Sequence, residues 1–136
     1  MPQMIVGGSH ADARGVLRFC NDFDMSAVRR FYTISNSVEQ PVRGWIGHKR
    51  ETKWFFPLKG TTTVTVEPMA GETLAAKDAE VAKESFVLNS DKPSVLKVEP
   101  GNWFCIRQDS NAEVMVFSDC RVGEFENDDF RKGFSG

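Results

Sequence analysis

The sequence is short of the residues that most often build a site by themselves. Its 136 residues hold two histidines, one tyrosine and three cysteines. A metal centre of three histidines and a carboxylate cannot be assembled from His10 and His48, so no metal or other cofactor is expected. Cys20, Cys105 and Cys120 are odd in number, widely spaced and without a CxxC pair, which excludes a disulfide framework and reads as reduced thiols in a reducing compartment. No window approaches the roughly eighteen apolar residues of a membrane span. The first eight residues also lack the basic start and apolar run of a signal peptide, so the expectation is a cytoplasmic protein. Neither sign of charge is in excess: 17 Lys and Arg stand against 19 Asp and Glu. A net charge of -2 gives no field for nucleic acid or an anionic membrane, and any basic site must be local.

What is present is an ordinary globular balance, with 40% hydrophobic and 26% charged residues. A chain of this length fits one domain, residues 1–136, and buries roughly two-thirds of its unfolded surface. Segments rich in aromatic and β-branched residues recur at 16–20, 28–34, 53–58, 61–66, 85–88, 94–98, 103–106 and 113–117. Breakers such as Pro41, Lys59-Gly60, Asp91-Lys92-Pro93 and Pro100-Gly101 separate several of them, the pattern of an all-β sandwich or barrel. Leu58 to Thr61 reads as a hairpin tip, and alternation puts Val64 and Val66 on a buried face with Thr63 and Thr65 opposite. Residues 1–10 read as a flexible N-terminus, and 71–83 as a short helix or a solvated loop. The stretch 124–134 runs from acidic to basic, an order that suits a helix dipole, and is expected as a helical or extended tail. Phe125, Phe130 and Phe134 are then placed to cap a mouth of the barrel.

Chemistry is densest at 43–60. If the face shared by Lys53, Phe55 and Pro57 is interior, Lys53 is a buried amine able to stabilise an enolate oxygen; otherwise it is a solvated rim residue with Trp54 and Phe56 inward. His48 is a proton-transfer candidate near neutral pH, or a lone packing histidine. Arg29, Arg30, Arg43, Lys49 and Arg107 can each serve phosphate, and Tyr32, Trp45, Trp54 and Trp103 can stack on a base or sugar or fill the core.

Several of these residues fall in longer matches. Asp12-Ala13-Arg14-Gly15, Val28 to Ile34, Arg43-Gly44-Trp45-Ile46-Gly47-His48-Lys49, Glu99 to Phe104 and Phe125 to Arg131 occur in the order and spacing of short motifs in one family. The chain resembles the RmlC-like cupins, and within them the sugar-nucleotide 3,4-ketoisomerases acting on dTDP-4-keto-6-deoxyglucose; the longer dTDP-4-dehydrorhamnose 3,5-epimerases are related. The resemblance implies a cupin jelly-roll β-barrel that enolises a nucleotide-linked 4-keto-6-deoxyhexose without metal or redox cofactor. It implies His48 and Lys53 as catalytic groups. Arg30, Arg43 and Lys49 are implied as contacts to the diphosphate of the small-molecule nucleotide sugar, in a homodimer; Tyr32, Trp103 and Arg107 join them as substrate-binding candidates on their residue chemistry. Departures are visible: Ile46 and Phe104 stand where the ketoisomerases carry histidines, and Val116 where the epimerases carry a tyrosine. A non-catalytic sugar-nucleotide-binding or regulatory cupin is therefore a second reading, and an interaction domain a third.

Overall fold

In the computed structural model, residues 2–69 and 83–133 are described. Twelve strands form among them: β1 (Gln3–Val6), β2 (Gly8–Asp12), β3 (Gly15–Phe19), β4 (Arg30–Ile34), β5 (Val42–His48), β6 (Lys53–Lys59), β7 (Thr61–Pro68), β8 (Glu84–Asn89), β9 (Ser94–Val98), β10 (Asn102–Gln108), β11 (Glu113–Ser118) and β12 (Phe130–Arg131). No helix occurs among the described residues. Every pairing is antiparallel. One five-stranded sheet runs β1-β9-β6-β11-β4 and the other β12-β5-β10-β7-β8, with β2 and β3 as a separate hairpin. From β4 to β7, and again from β8 to β12, each connection carries the chain from one sheet to the other, which makes the fold a jelly roll.

Phe55, Leu96, Val114 and Val116 of the first sheet meet Val64, Val66, Leu88, Phe104 and Ile106 of the second in the main core. Alternation on β7 is as expected, with Val64 and Val66 buried. Strand β6 is buried on both faces, because Trp54 packs outward with Val95 and Phe117 under Phe23 and Val28. Its Pro57 pairs with β11 but lies beyond the Lys53 to Phe55 stretch that meets β9, so no ladder bond is lost on that side.

Two expectations are corrected, a strand that the pattern missed is added, and the tail takes the extended of its two expected forms. Residues 3–6 and 8–12 are strands: β1 pairs with β9, and β2 pairs with β3, in place of a flexible N-terminus. Leu58 to Thr61 is not a hairpin tip, since β6 and β7 lie in different sheets; Gly60, at φ +67°, turns the chain between them. Strand β5 was absent from the sequence pattern because Gly44, Gly47 and Arg43 dilute its strand character. The tail is extended with turns, not helical, and its β12 pairs Phe130 with Gly47 and Arg131 with Ile46. The expected helix or loop at 71–83 and the expected cap residue Phe134 lie outside the described residues, Lys83 excepted.

Candidate active site

Strand register brings three donors of the first sheet into one row. Lys53 on β6 pairs with Ser118 on β11, which pairs with Arg30 on β4. Directly paired residues in adjacent strands lie about 5 Å apart, so their side chains can converge. They converge on Glu51. Its Oε2 lies 2.6 Å from Lys53 Nζ and 3.5 Å from Arg30 Nη2, and the Ser118 hydroxyl donates to the same oxygen. Burial, the largest single influence, opposes ionisation of Glu51, but the hydrogen bonds from Lys53 and Ser118 and the charge of Lys53 lead the influences that outweigh it and hold the carboxyl below its ordinary value.

From the opposite sheet, β5 presents Ile46 and His48 on its inner face. His48 is 6% exposed, with its ring 5.9 Å from that of Phe104. Its Nδ1 lies 2.7 Å from the backbone oxygen of Asp128. A carbonyl oxygen can only accept, so Nδ1 carries the proton and the lone pair of the neutral ring sits on Nε2. That Nε2 is buried and has no hydrogen-bond partner.

The turn after His48 is fixed by the same distant residue. The Asp128 carboxylate accepts the backbone N–H of Lys49 at 2.7 Å, of Arg50 at 3.0 Å and of Glu51 at 2.9 Å. Three successive amides around a carboxylate form an anion-binding nest, which the 4% exposed Asp128 fills from the tail. One residue thereby orients His48 through its carbonyl and Glu51 through its carboxylate.

Between the sheets and the tail lies a cavity of about 420 Å³. Arg30, Tyr32 and Lys53 line it from the first sheet, Ile46, His48 and Phe104 from the second, with Glu51 at the turn. The tail adds Arg121, Phe125 and Arg131. Lys53 Nζ donates to Tyr32 Oη at 3.1 Å, and Arg30 stacks 5.1 Å from the Tyr32 ring centroid. Cys120 also faces the cavity, but burial pushes its thiol up, which disfavours a thiolate nucleophile. His48, Glu51 and Asp128 have ligand atoms close enough for a metal ion; Nδ1 is engaged by a carbonyl, the Asp128 carboxylate by three amides and Glu51 Oε2 by an ammonium, while His48 Nε2 is without a partner.

Of the residues expected from sequence, the structure brings together His48, Lys53, Arg30 and Tyr32 and leaves four elsewhere. Arg43 is five residues from His48 along β5, roughly 16 Å away at about 3.3 Å per residue; it contacts Asn36 Oδ1 at 3.2 Å at the far end. Lys49 is exposed, with its ammonium 5.1 Å from the Phe130 ring. Trp103 points away from the cavity to the outer face of β10, where Lys132 stacks on it at 5.0 Å. Arg107 is exposed between Val42 and Thr63. Phe125, one of the aromatic residues expected at the mouth, does line the cavity. Glu51, Arg121 and Asp128 were not singled out by sequence as site residues. Glu51 carried a signal, lying in the charged run before β6; the other two carried none, because only tertiary pairing brings the tail to β5.

With this geometry in hand, comparison with known proteins is decisive for the family. The family model described as FdtA: WxcM-like, C-terminal matches residues 2–135. The chain belongs to that family. A search of the curated proteins finds no match. Among solved structures, a 3,4-ketoisomerase from Helicobacter canadensis is 18% identical, covers 96% of this chain and 90% of its own, and superposes with a TM-score of 0.71. The 3,4-ketoisomerase QdtA from Thermoanaerobacterium thermosaccharolyticum, solved with TDP, is 18% identical over 96% of this chain and 88% of its own, at 0.71. The RmlC epimerase of Mycobacterium tuberculosis is 16% identical over 88% and 64%, at 0.69. These likenesses establish the RmlC-like cupin fold for this WxcM-like chain.

The ion pair at the base of the cavity makes a prediction of its own. Glu51→Gln leaves Lys53 buried without a counter-charge and is expected to cost about 3 kcal/mol at neutral pH. Because the Glu51 carboxyl is held below its ordinary value of 4.5, its contribution is complete above that pH and fades as pH falls through the lower folded value. Urea unfolding of the two proteins should therefore differ at neutral pH and converge in acid; an equal gap at both would contradict the ionised pair.

Proposed function

We propose that this WxcM-like protein binds a nucleotide-linked 4-keto-6-deoxyhexose and enolises it beside the ketone, as a 3,4-ketoisomerase or a 3,5-epimerase does. The observation carrying this reading is the buried, unpartnered Nε2 of His48, a residue that lines the cavity together with the Lys53 cation. Nε2 takes the proton alpha to the ketone, the positive charge of Lys53 favours the oxyanion that forms, and the proton returns at another carbon or face. Family membership supports the substrate class, and QdtA has been solved with TDP and, as a histidine-to-asparagine mutant, with TDP-4-keto-6-deoxyglucose.

For the diphosphate, Arg121 is the favoured contact. It lines the cavity and has no ion-pair partner among the described residues, whereas Arg131 is paired with Asp129 at 2.9 Å and Arg30 is drawn to Glu51. Arg121→Ala is expected to weaken nucleotide-sugar binding about tenfold, the loss of about one charge-assisted contact, with kcat little changed. Arg107→Ala should leave both as they are. Equal effects of the two would count against this placement.

A homodimer fits the apolar residues that the β2–β3 hairpin exposes, Val16 and Leu17, at 52% and 62%. A second reading, a sugar-nucleotide-binding protein without turnover, is favoured by the apolar Ile46 and Phe104 flanking His48 in the cavity. Incubation with dTDP-4-keto-6-deoxyglucose in deuterated buffer separates the two. Deuterium entering C3 or C5, read by NMR, supports enolisation and its position distinguishes isomerase from epimerase; calorimetric binding with no exchange establishes the non-catalytic reading.

A further inference from the structure

Where the tail crosses the mouth of the cavity it is held firmly at both ends and lightly between them. At one end the Ser118 hydroxyl oxygen accepts the N–H of Cys120 at 3.0 Å, and the Asp119 carboxylate accepts that of Thr52 at 2.9 Å. At the other, Asp128 fills the amide nest and β12 pairs with β5. In the stretch 121–127 between these anchors every residue is exposed except Phe125, which is half-buried. Arg121, Val122, Gly123, Glu124 and Phe125 line the cavity from here. Gly123, Phe125 and Asn127 all have positive φ, and at +47° Phe125 sits in the left-handed region that a side chain of its size rarely enters. Such a backbone persists only where its surroundings hold it. Arg50, from the turn after β5, supplies two holds. Its guanidinium lies 5.1 Å from the Phe125 ring centroid, and its Nη2 donates to the backbone oxygen of Glu126. Both contacts come from outside: Arg50 is exposed and takes no part in the lining of the cavity.

We propose that loop 121–127 is the gate of the cavity and that Arg50 is its latch, a positioning residue that sets Arg121 and Phe125 over the opening without touching the ligand. Opening breaks the Arg50 stack and one hydrogen bond while Asp128 and β12 stay in place. His48 and Glu51, both fixed by Asp128, therefore keep their alignment as a ligand passes. An exposed cation–π contact is among the weaker ones, so the open state is a minor but accessible member of the ensemble. Arg121 rides on the loop, and closure brings it onto a nucleotide diphosphate; that ligand is the one element taken from the function proposed above.

Arg50→Ala should raise the association and dissociation rates of dTDP together, each about tenfold, and leave its Kd within about threefold, because a gate changes how often a ligand passes and not how tightly it is held. Surface plasmon resonance reads both rates. Backbone amide order parameters at 122–126 should fall from about 0.85 in the wild-type protein to below about 0.6 in Arg50→Ala, with those at 49–51 and in the core strands unchanged. Arg50→Lys, which keeps a cation over the ring and loses the guanidinium fork, should lie between the two. Wild-type rates in Arg50→Ala overturn the gate. A rise in dissociation alone makes Arg50 a ligand contact and overturns the latch, as does a loop already mobile in the wild-type protein. Should the wild-type protein not bind dTDP, the nucleotide-sugar reading fails and the order parameters alone decide the latch: unchanged values in Arg50→Ala overturn it.

Discussion

Replacing His48 with Asn is expected to reduce solvent exchange into a bound 4-keto sugar by about a thousandfold or more, the upper part of what a positioned general base contributes. Asn is the informative substitute. Its amide nitrogen falls near the place of Nδ1 and can still donate to the Asp128 carbonyl, so the clamp between β5 and the tail is kept and stability should fall by about 1 kcal/mol or less. What Asn lacks is the lone pair at Nε2. Loss of exchange with a loss of stability in urea no greater than that therefore assigns the effect to the base. Retained exchange would show that a different group removes the proton, and neither Ile46 nor Phe104, the other side chains that β5 and β10 present to the cavity, is able to do so.

Removal of the Asp128 carboxylate should have the largest effect on stability. Asp128→Ala strands the amides of Lys49, Arg50 and Glu51 in a site where they now share one buried anion. At about 1–3 kcal/mol for each buried donor left unpaired, less what water recovers, the net cost is about 4 kcal/mol. Function should fall in parallel, because the carbonyl that holds His48 belongs to the same residue and moves with the released tail. Amide hydrogen exchange gives the specific signature: protection should vanish at 49–51 before it changes in the core strands. Asp128→Asn, which keeps one acceptor oxygen and loses the charge, should lie between the alanine variant and wild type. An Asp128→Ala protein as stable as wild type would mean that the tail is not what organises the turn.

Much of the architecture was legible in the sequence, because a jelly roll is written in period-two alternation and turn residues. Eight of the strands followed from that pattern, and the Lys53, Phe55, Pro57 face is interior as one of the two readings required. The strand carrying His48 was not visible as a strand. Its two glycines permit close approach but contribute no side-chain pattern: a Cβ on Gly47 would meet the Trp103 ring at 2.7 Å, and one on Gly44 would meet Cys105 Cα at 2.8 Å. Arg43 to Lys49 stood out as a motif, but it was not read as a strand.

The site was legible by halves. His48 and Lys53 stand out as a histidine and an amine beside an apolar strand. Arg30 and Tyr32 came with the family's strand motif. Glu51 was passed over because a glutamate in a charged run reads as solvated, and only the Lys53–Ser118–Arg30 row, a matter of register across three strands, shows it to be buried and paired. Asp128 was read as part of an acidic helix start. Its carboxylate does cap backbone amides, as a helix start would require, but they belong to a turn 77 to 79 residues away. Arg43, Lys49 and Arg107 show the opposite error: a guanidinium or ammonium near a matching motif, or within one, says nothing about which face of its strand reaches the ligand.

The proposed chemistry depends on a lone pair at His48 Nε2, and the tautomer of this ring is open to direct observation. With two histidines in the chain and His10 exposed, a long-range ¹H–¹⁵N spectrum resolves both rings. At alkaline pH, where the ring is neutral, His48 should show the proton on Nδ1 and a bare Nε2 whose resonance moves when dTDP-4-keto-6-deoxyglucose is added. A ring protonated at Nε2 would place a donor where the base must be, and would contradict the reaction.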